Sequence, residues 1–133
     1  MQTSSPLSNR DMLSIVKEND KKFSVGVRTK DAALLANIYS ESAQYVQPFR
    51  KIIVGKDSIQ KDWAGFVSLK ENPVDLILEP LHVDGNQEII YETGYGYTLL
   101  ADSSQWKFHY VNVWRLQKDG SYKLEIDTFN SSE

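Results

Sequence analysis

Residues 107–130 have the sequence KFHYVNVWRLQKDGSYKLEIDTFN, the pattern of two β-strands joined by a tight turn. Apolar and polar side chains alternate along residues 107–116 and again along residues 122–130, with the period of two that is typical of a half-buried strand. Asp119-Gly120 between them is a turn signal, because glycine tolerates the positive φ that tight turns need. The end of the chain is therefore predicted to be a pair of adjacent strands.

The segments before this pair predict two more strands and, before those, three helices. Residues 74–83 and 87–100 show the same period of two, with Asp84-Gly85 as a turn between them. Apolar residues recur at helical spacing in residues 9–29, in residues 31–39 and after Gly55. Helices followed by strands indicate an α+β fold, with three N-terminal helices packed on a curved, mainly antiparallel sheet. No linker or repeat divides the chain, so residues 9–133 are predicted to form one domain after a flexible N-terminal arm of residues 1–8.

Composition limits the function classes. The chain has 133 residues, a net charge of -3 and no cysteine. This charge argues against a nucleic-acid partner, and the lack of cysteine excludes disulfides, thiolate catalysis and cysteine-held metal centres. Two histidines are too few for a histidine-rich metal site, and we expect no metal or other cofactor. No segment has the apolar run of a signal peptide or a membrane span, so we expect a cytoplasmic protein with no membrane partner.

Several short motifs follow one another in a fixed order: KDAA (30–33), PF (48–49), GKDSIQKDW (55–63), ETGY (92–95), VWR (113–115), DG (119–120), YKL (122–124) and Asp127. Their order and spacing resemble the nuclear transport factor 2-like superfamily, in particular its SnoaL-like branch. The resemblance covers nearly the whole chain and implies a cone-shaped, cystatin-like fold around a pocket. Because this superfamily includes both enzymes and domains that only bind or oligomerise, the fold does not define the function.

The resemblance also locates the positions at which ketosteroid isomerases carry their catalytic groups. The position of the base, before Pro48-Phe49, is Gln47, whose neutral amide cannot accept a proton. The position of the tyrosine acid is Phe23, which has no hydroxyl, and that of the protonated aspartic acid is Asn112. We therefore expect that the protein is not a ketosteroid isomerase.

Asp127 is the remaining candidate for acid–base chemistry. Strand alternation places Glu125, Asp127 and Phe129 on one face of the last strand, and the resemblance favours this face as the one toward the cavity. A carboxylate in an apolar cavity has a raised pKa and can act as a general acid or base. The alternative is that Asp127 pairs with Arg115, Lys123 or a backbone amide at a subunit contact.

Alternation and helical spacing give expected positions for the other candidates. In residues 91–98 the tyrosines occupy alternate positions and favour the buried face, so we expect Glu92 to lie on the outer surface or in a dimer contact. Asp20 is assigned with its charged neighbours to the solvated face of the first helix. Besides Asp127, the residues expected to line the pocket are Phe23, Tyr45, Gln47, Trp63, Tyr95, Asn112 and Trp114.

Two functions remain open at this point. In the first, the pocket binds a small apolar or aromatic molecule, and any reaction is a cofactor-free isomerisation, cyclisation or dehydration with Asp127 as the proton acceptor. In the second, the protein is a non-catalytic homodimerisation or interaction module with an incidental cavity. A homodimer through the outer sheet face is expected in both cases, so the oligomeric state alone does not separate them.

Overall fold

The computed structural model describes residues 7–132, and most of the predicted arm, residues 1–8, lies outside that range. The first helix, α1, spans Asn9–Arg28. Its N-terminus is fixed by a capping box: the Ser8 hydroxyl accepts from the Asp11 amide at 3.1 Å, and the Asp11 carboxylate accepts from the Ser8 amide at 3.3 Å. These two bonds satisfy amides that a helix N-terminus otherwise leaves without a partner.

Two shorter helices follow, α2 at Ala32–Ala36 and α3 at Lys56–Val67. Asp31 caps α2 through its side chain, and the helix is shorter than the predicted residues 31–39. Gly26 lets α1 approach α2 closely, because a Cβ at this position would lie 2.5 Å from the Leu35 side chain. No helix within residues 7–132 has the length and apolarity needed to cross a membrane.

Six strands form one curved, mixed sheet: β1 (Tyr39–Val46), β2 (Ile53–Val54), β3 (Pro73–Gly85), β4 (Ile89–Leu100), β5 (Gln105–Leu116) and β6 (Tyr122–Ser131). Their order is β2-β1-β6-β5-β4-β3, and every neighbouring pair is antiparallel except β1 and β6. The predicted α+β class and the four C-terminal strands are confirmed. β1 and β2 are strands that the sequence reasoning missed.

The core lies between the helices and the concave face of this sheet. α1 packs on β3 and α3 packs on β1. The helices contribute Val16, Phe23 and Trp63 to this layer, and the strands contribute Ile90 and Leu124, each of them at least nine-tenths buried. Phe23 and Trp63 of this layer also line a cavity on the same side of the sheet.

A β-bulge in β6 sets the direction of the side chains in the last strand. The register against β5 shifts at Glu125, which is an extra residue in the ladder. Leu124 and Asp127 therefore both face the interior, although their spacing is odd. Glu125, expected on the same face as Asp127, lies on the opposite face and pairs with Arg115 at 2.7 Å. Strict alternation fails here because it assumes a strand without bulges.

Candidate functional site

A cavity of about 580 Å³ lies between α1, α3 and the concave face of the sheet. This volume is in the range of small-molecule sites, which are mostly apolar with a few well-placed polar groups. The aromatic part of the wall includes Phe23, Tyr45, Trp63, Phe66, Phe108, Tyr110 and Phe129. The polar and charged side chains that reach the cavity include Gln47, Arg50, Asp62, Lys107, Asn112 and Asp127.

Most of the residues predicted for the pocket are brought together in this wall, namely Phe23, Tyr45, Gln47, Trp63, Asn112 and Asp127. Tyr95 and Trp114 are not, and for them the prediction was wrong. Tyr95 is 59% exposed, because the inner face of β4 carries Glu92, Gly94 and Gly96 rather than the tyrosines. Trp114 does face inward, but it is completely buried in the core and does not reach the cavity.

The two glycines on the inner face of β4 make room for two aromatic side chains from β5. A Cβ on Gly94 would lie 2.9 Å from the Tyr110 hydroxyl oxygen, and a Cβ on Gly96 would lie 2.6 Å from the Phe108 ring. Both distances are well below van der Waals contact. Because these positions carry no side chain, the Tyr110 and Phe108 side chains can pack against the backbone of β4 and form part of the cavity wall.

Asp127 is held at the cavity wall by hydrogen bonds to both of its carboxylate oxygens. The Tyr39 hydroxyl donates to its Oδ2 at 2.6 Å, and the Trp63 indole N–H donates in turn to the Tyr39 oxygen at 3.2 Å. The side-chain amide of Asn112 donates to Asp127 Oδ1 at 3.0 Å, in the amide orientation that also satisfies the Val111 carbonyl. Each carboxylate oxygen therefore has a donor, which fixes the carboxylate while one edge stays at the cavity.

Burial raises the pKa of Asp127 to about 7. The Tyr39 hydrogen bond lowers this pKa, whereas the negative charge of Glu92 raises it. At neutral pH both protonation states are then populated, as an efficient general acid or base requires. Burial, followed by the charge of Asp127, raises the pKa of Tyr39 well above its usual range, so its hydroxyl remains a donor.

A ring of three polar side chains forms one part of the cavity wall. Gln47 Nε2 donates to Asp62 Oδ2 at 2.8 Å, Arg50 Nη2 pairs with Asp62 Oδ1 at 2.8 Å, and Arg50 Nη1 donates to Gln47 Oε1 at 3.1 Å. Gln47 occupies the position that the resemblance assigns to an isomerase base, and here its amide is committed to this ring. The ring carries one positive and one negative charge. Its hydrogen bonds leave neither Gln47 nor Asp62 free to act as a base.

A second buried polar cluster lies behind the wall, and it corrects two predictions. Glu92, expected on the outer surface, is completely buried and accepts from the Tyr110 hydroxyl at 2.9 Å and the Trp114 indole N–H at 2.8 Å. Asp20, expected on the solvated face of α1, is only 5% exposed. Its spacing from Val16 places it on the apolar stripe of α1, and this was the signal that the sequence offered.

The histidines take no part in either cluster. His82 and His109 are both exposed on the sheet, and His109 Nδ1 is hydrogen-bonded to Ser132 Oγ at 3.1 Å. Within residues 7–132, no three histidine or acidic side chains come together in a way that could hold a metal ion.

Comparison with known proteins shows the fold and leaves the activity open. No family model matches the chain, and no curated protein matches it. A protein of unknown function from Mycobacterium tuberculosis has a similar structure, with a TM-score of 0.81 at 10% identity over 91% of this chain and 72% of that one. A nuclear transport factor 2-like protein with a cystatin-like fold from Novosphingobium aromaticivorans gives 0.79 at 11% identity over 93% and 84%. A ketosteroid isomerase-like protein from Erwinia carotovora gives 0.73 at 13% identity over 92% and 98%.

These similarities show the fold of the chain. The chain has the cystatin-like fold of nuclear transport factor 2-like proteins, as its motifs implied. Several solved structures with this fold, the Mycobacterium tuberculosis protein among them, are described as proteins of unknown function.

Proposed function

We propose that the protein binds a small, largely apolar or aromatic molecule in its cavity and transfers a proton on it without a cofactor. The observation that carries this proposal is Asp127, a carboxyl group with a pKa of about 7 at the wall of an aromatic cavity. A group of this kind takes a proton in its ionised form and returns it in its protonated form. The fold, shared with a ketosteroid isomerase-like protein, is compatible with this chemistry.

The hydrogen-bond donors around Asp127 narrow the kind of reaction. Tyr39 and Asn112 both donate to Asp127, and Trp63 donates to Tyr39, so these groups serve the carboxylate rather than a substrate oxygen. Ketosteroid isomerase chemistry needs separate donors for a developing oxyanion. We therefore favour a reaction in which one group both removes and delivers the proton, such as an isomerisation, a cyclisation or a dehydration.

Binding of a naphthalene-sized phenol tests whether the cavity is the ligand site. We expect 2-naphthol to bind in isothermal titration calorimetry with one site per chain, and Leu78→Trp to weaken this binding at least tenfold, because Leu78 lines the cavity and a larger ring would fill it. The matched control is Leu81→Trp on the same strand, since Leu81 is 62% exposed and outside the cavity. Equal affinities in both variants would contradict the assignment of the cavity as the site.

We also propose that the outer face of the sheet forms a homodimer, as the alternative function requires. Tyr91, Tyr95 and Val111 are each at least two-fifths exposed on this face, and an exposed apolar patch on paired strands is typical of a protein contact. In this alternative the cavity is incidental and binds no specific ligand.

Light scattering of the protein at micromolar concentration measures its oligomeric state directly. We expect a dimer for the unmodified protein and a monomer for Val111→Lys, because a lysine in the middle of the patch would bury an unpaired charge. Leu81→Lys, on an exposed position of β3, is the control that should remain dimeric. A monomeric unmodified protein would exclude both the contact and the interaction-module alternative.

A further inference from the structure

Asp20 is the buried acid for which the proposed reaction has no use. It lies on the inward stripe of α1 at 5% exposure, and no N–H or O–H donor of the described residues reaches either of its carboxyl oxygens. The group that its carboxyl meets is the carboxyl of Glu92 on β4. Two carboxyl groups in contact inside a protein share a proton, because two adjacent negative charges without a cation are strongly unfavourable.

The surroundings of Glu92 show which of the two holds the charge. Tyr110 donates to Glu92 Oε2 and Trp114 to Oε1, whereas Asp20 has no such donor. No lysine, arginine or histidine among residues 7–132 forms an ion pair with either acid. Burial and the neighbouring Glu92 raise the pKa of Asp20 to about 10, so at neutral pH Asp20 carries the proton. Burial raises the pKa of Glu92 as well, but its hydrogen bonds with Asp20, Trp114 and Tyr110 lower it, so Glu92 is the member of the pair that holds the charge.

The sheet register connects this pair to the cavity. Glu92 on β4 is paired with Asn112 on β5, and Asn112 is paired with Asp127 on β6. The three side chains therefore form one polar row across the inner face of the sheet, and all three are at least nine-tenths buried. Since neighbouring strands lie about 4.8 Å apart, Glu92 and Asp127 are separated by roughly 10 Å, with the Asn112 amide between them.

We propose that Asp20 and Glu92 share one proton and hold one negative charge behind the cavity wall, and that this charge, acting across Asn112, favours the protonated form of Asp127. Glu92 is then a positioning residue for the acid–base group, and this role rests on the proposed function. The titratable or charged groups that face the row are Asp20 from α1, Tyr110 from β5, Tyr39 and Tyr45 from β1, and the Asp62–Arg50 pair at the cavity. The burial-raised pKa values of the tyrosines keep those groups neutral, so Glu92 is the charge that acts on Asp127 through the sheet.

Carboxyl-carbon NMR titration of the ¹³C-labelled protein tests the proposal without any substrate. In the unmodified protein, we expect the Asp20 signal to show no titration near its ordinary value of 3.8 and the Asp127 signal to titrate near 7. Glu92→Gln removes the charge and should lower the Asp127 midpoint by roughly one pH unit, from a charge about 10 Å away at an effective dielectric constant of about 20. Asp20→Asn is the matched variant: an amide N–H donor takes the place of the shared proton and Glu92 stays ionised, so the Asp127 midpoint should stay where it is.

Two results would overturn the proposal. One is an Asp20 signal that titrates in the ordinary acid range, which would mean that no proton is shared. The other is an Asp127 midpoint that is unchanged in Glu92→Gln. If that variant does not fold, the Asp20 titration of the unmodified protein still decides whether the proton is shared. Failure of the proposed function would be seen separately. In that case Asp20 and Asp127 would titrate as expected above, but the protein would bind no 2-naphthol and catalyse no proton transfer.

Discussion

Asp127→Asn is expected to lower the rate of base-catalysed ring opening of 5-nitrobenzisoxazole by about 10²-fold or more, the range that a positioned general base supplies. In this reaction a base removes the ring C–H proton while the N–O bond breaks, and the product is a coloured phenolate. The only demand on the protein is a carboxylate base in an apolar cavity, and Asp127 is the buried carboxylate that lines this one. The asparagine keeps the shape of the side chain and cannot take the proton.

Asp62→Asn is the control for this experiment, because it is the same change in another carboxylate of the same cavity. Asp62 is already paired with Arg50 and hydrogen-bonded by Gln47, so we expect its loss to change the rate much less. A comparable loss of rate in both variants would show that the reaction depends on the integrity of the cavity rather than on Asp127.

Trp114→Ala is expected to reduce the free energy of unfolding by about 3–5 kcal/mol, the range for removing a large buried aromatic side chain. Trp114 is completely buried, so the alanine leaves a void in the core. The substitution also removes the donor to Glu92 Oε1, which leaves a buried carboxylate oxygen without its partner. Urea denaturation followed by circular dichroism measures the change.

Two further variants separate these causes. Trp114→Phe keeps most of the ring and removes the N–H, so we expect about 1–3 kcal/mol from the unsatisfied carboxylate. Trp106→Ala removes the same side chain from a position that is 40% exposed, and its effect should be much smaller. A loss at Trp106 equal to that at Trp114 would contradict the location of the core.

The elements that were predicted correctly from the sequence are those whose apolar residues recur with a clear helical or strand period. The periods of α1 and of the four C-terminal strands are strong, and the structure has these elements near the predicted positions. β1 was missed because its sequence, YSESAQYV, is half polar, and its partner β6 is more than eighty positions away along the chain. Its strand conformation depends on parallel pairing with β6, the last strand of the chain, and a local sequence pattern does not indicate such a distant partner.

The choice of face on a strand was the weaker part of the site prediction. On β4 the rows of tyrosines and small residues alternate equally well, and hydrophobicity favoured the wrong row. Gly94 and Gly96 belong to the inner row, where Tyr110 and Phe108 of the next strand occupy the space that larger side chains would fill. The two glycines were the signal in the sequence for the inner row, because glycine inside a strand often marks the close approach of another part of the chain. In the same way, the bulge at Glu125 is a property of the β5–β6 pairing and not of the β6 sequence.

The pH dependence of ring opening by the unmodified protein tests the central claim most directly. Asp127 acts as a base only when ionised, and its pKa is about 7. The rate should therefore rise with pH through a midpoint near 7 and level off above it, and Asp127→Asn should show no such step. A midpoint near the ordinary aspartate value of 3.8, or a step that persists in Asp127→Asn, would contradict Asp127 as the acid–base group of this cavity.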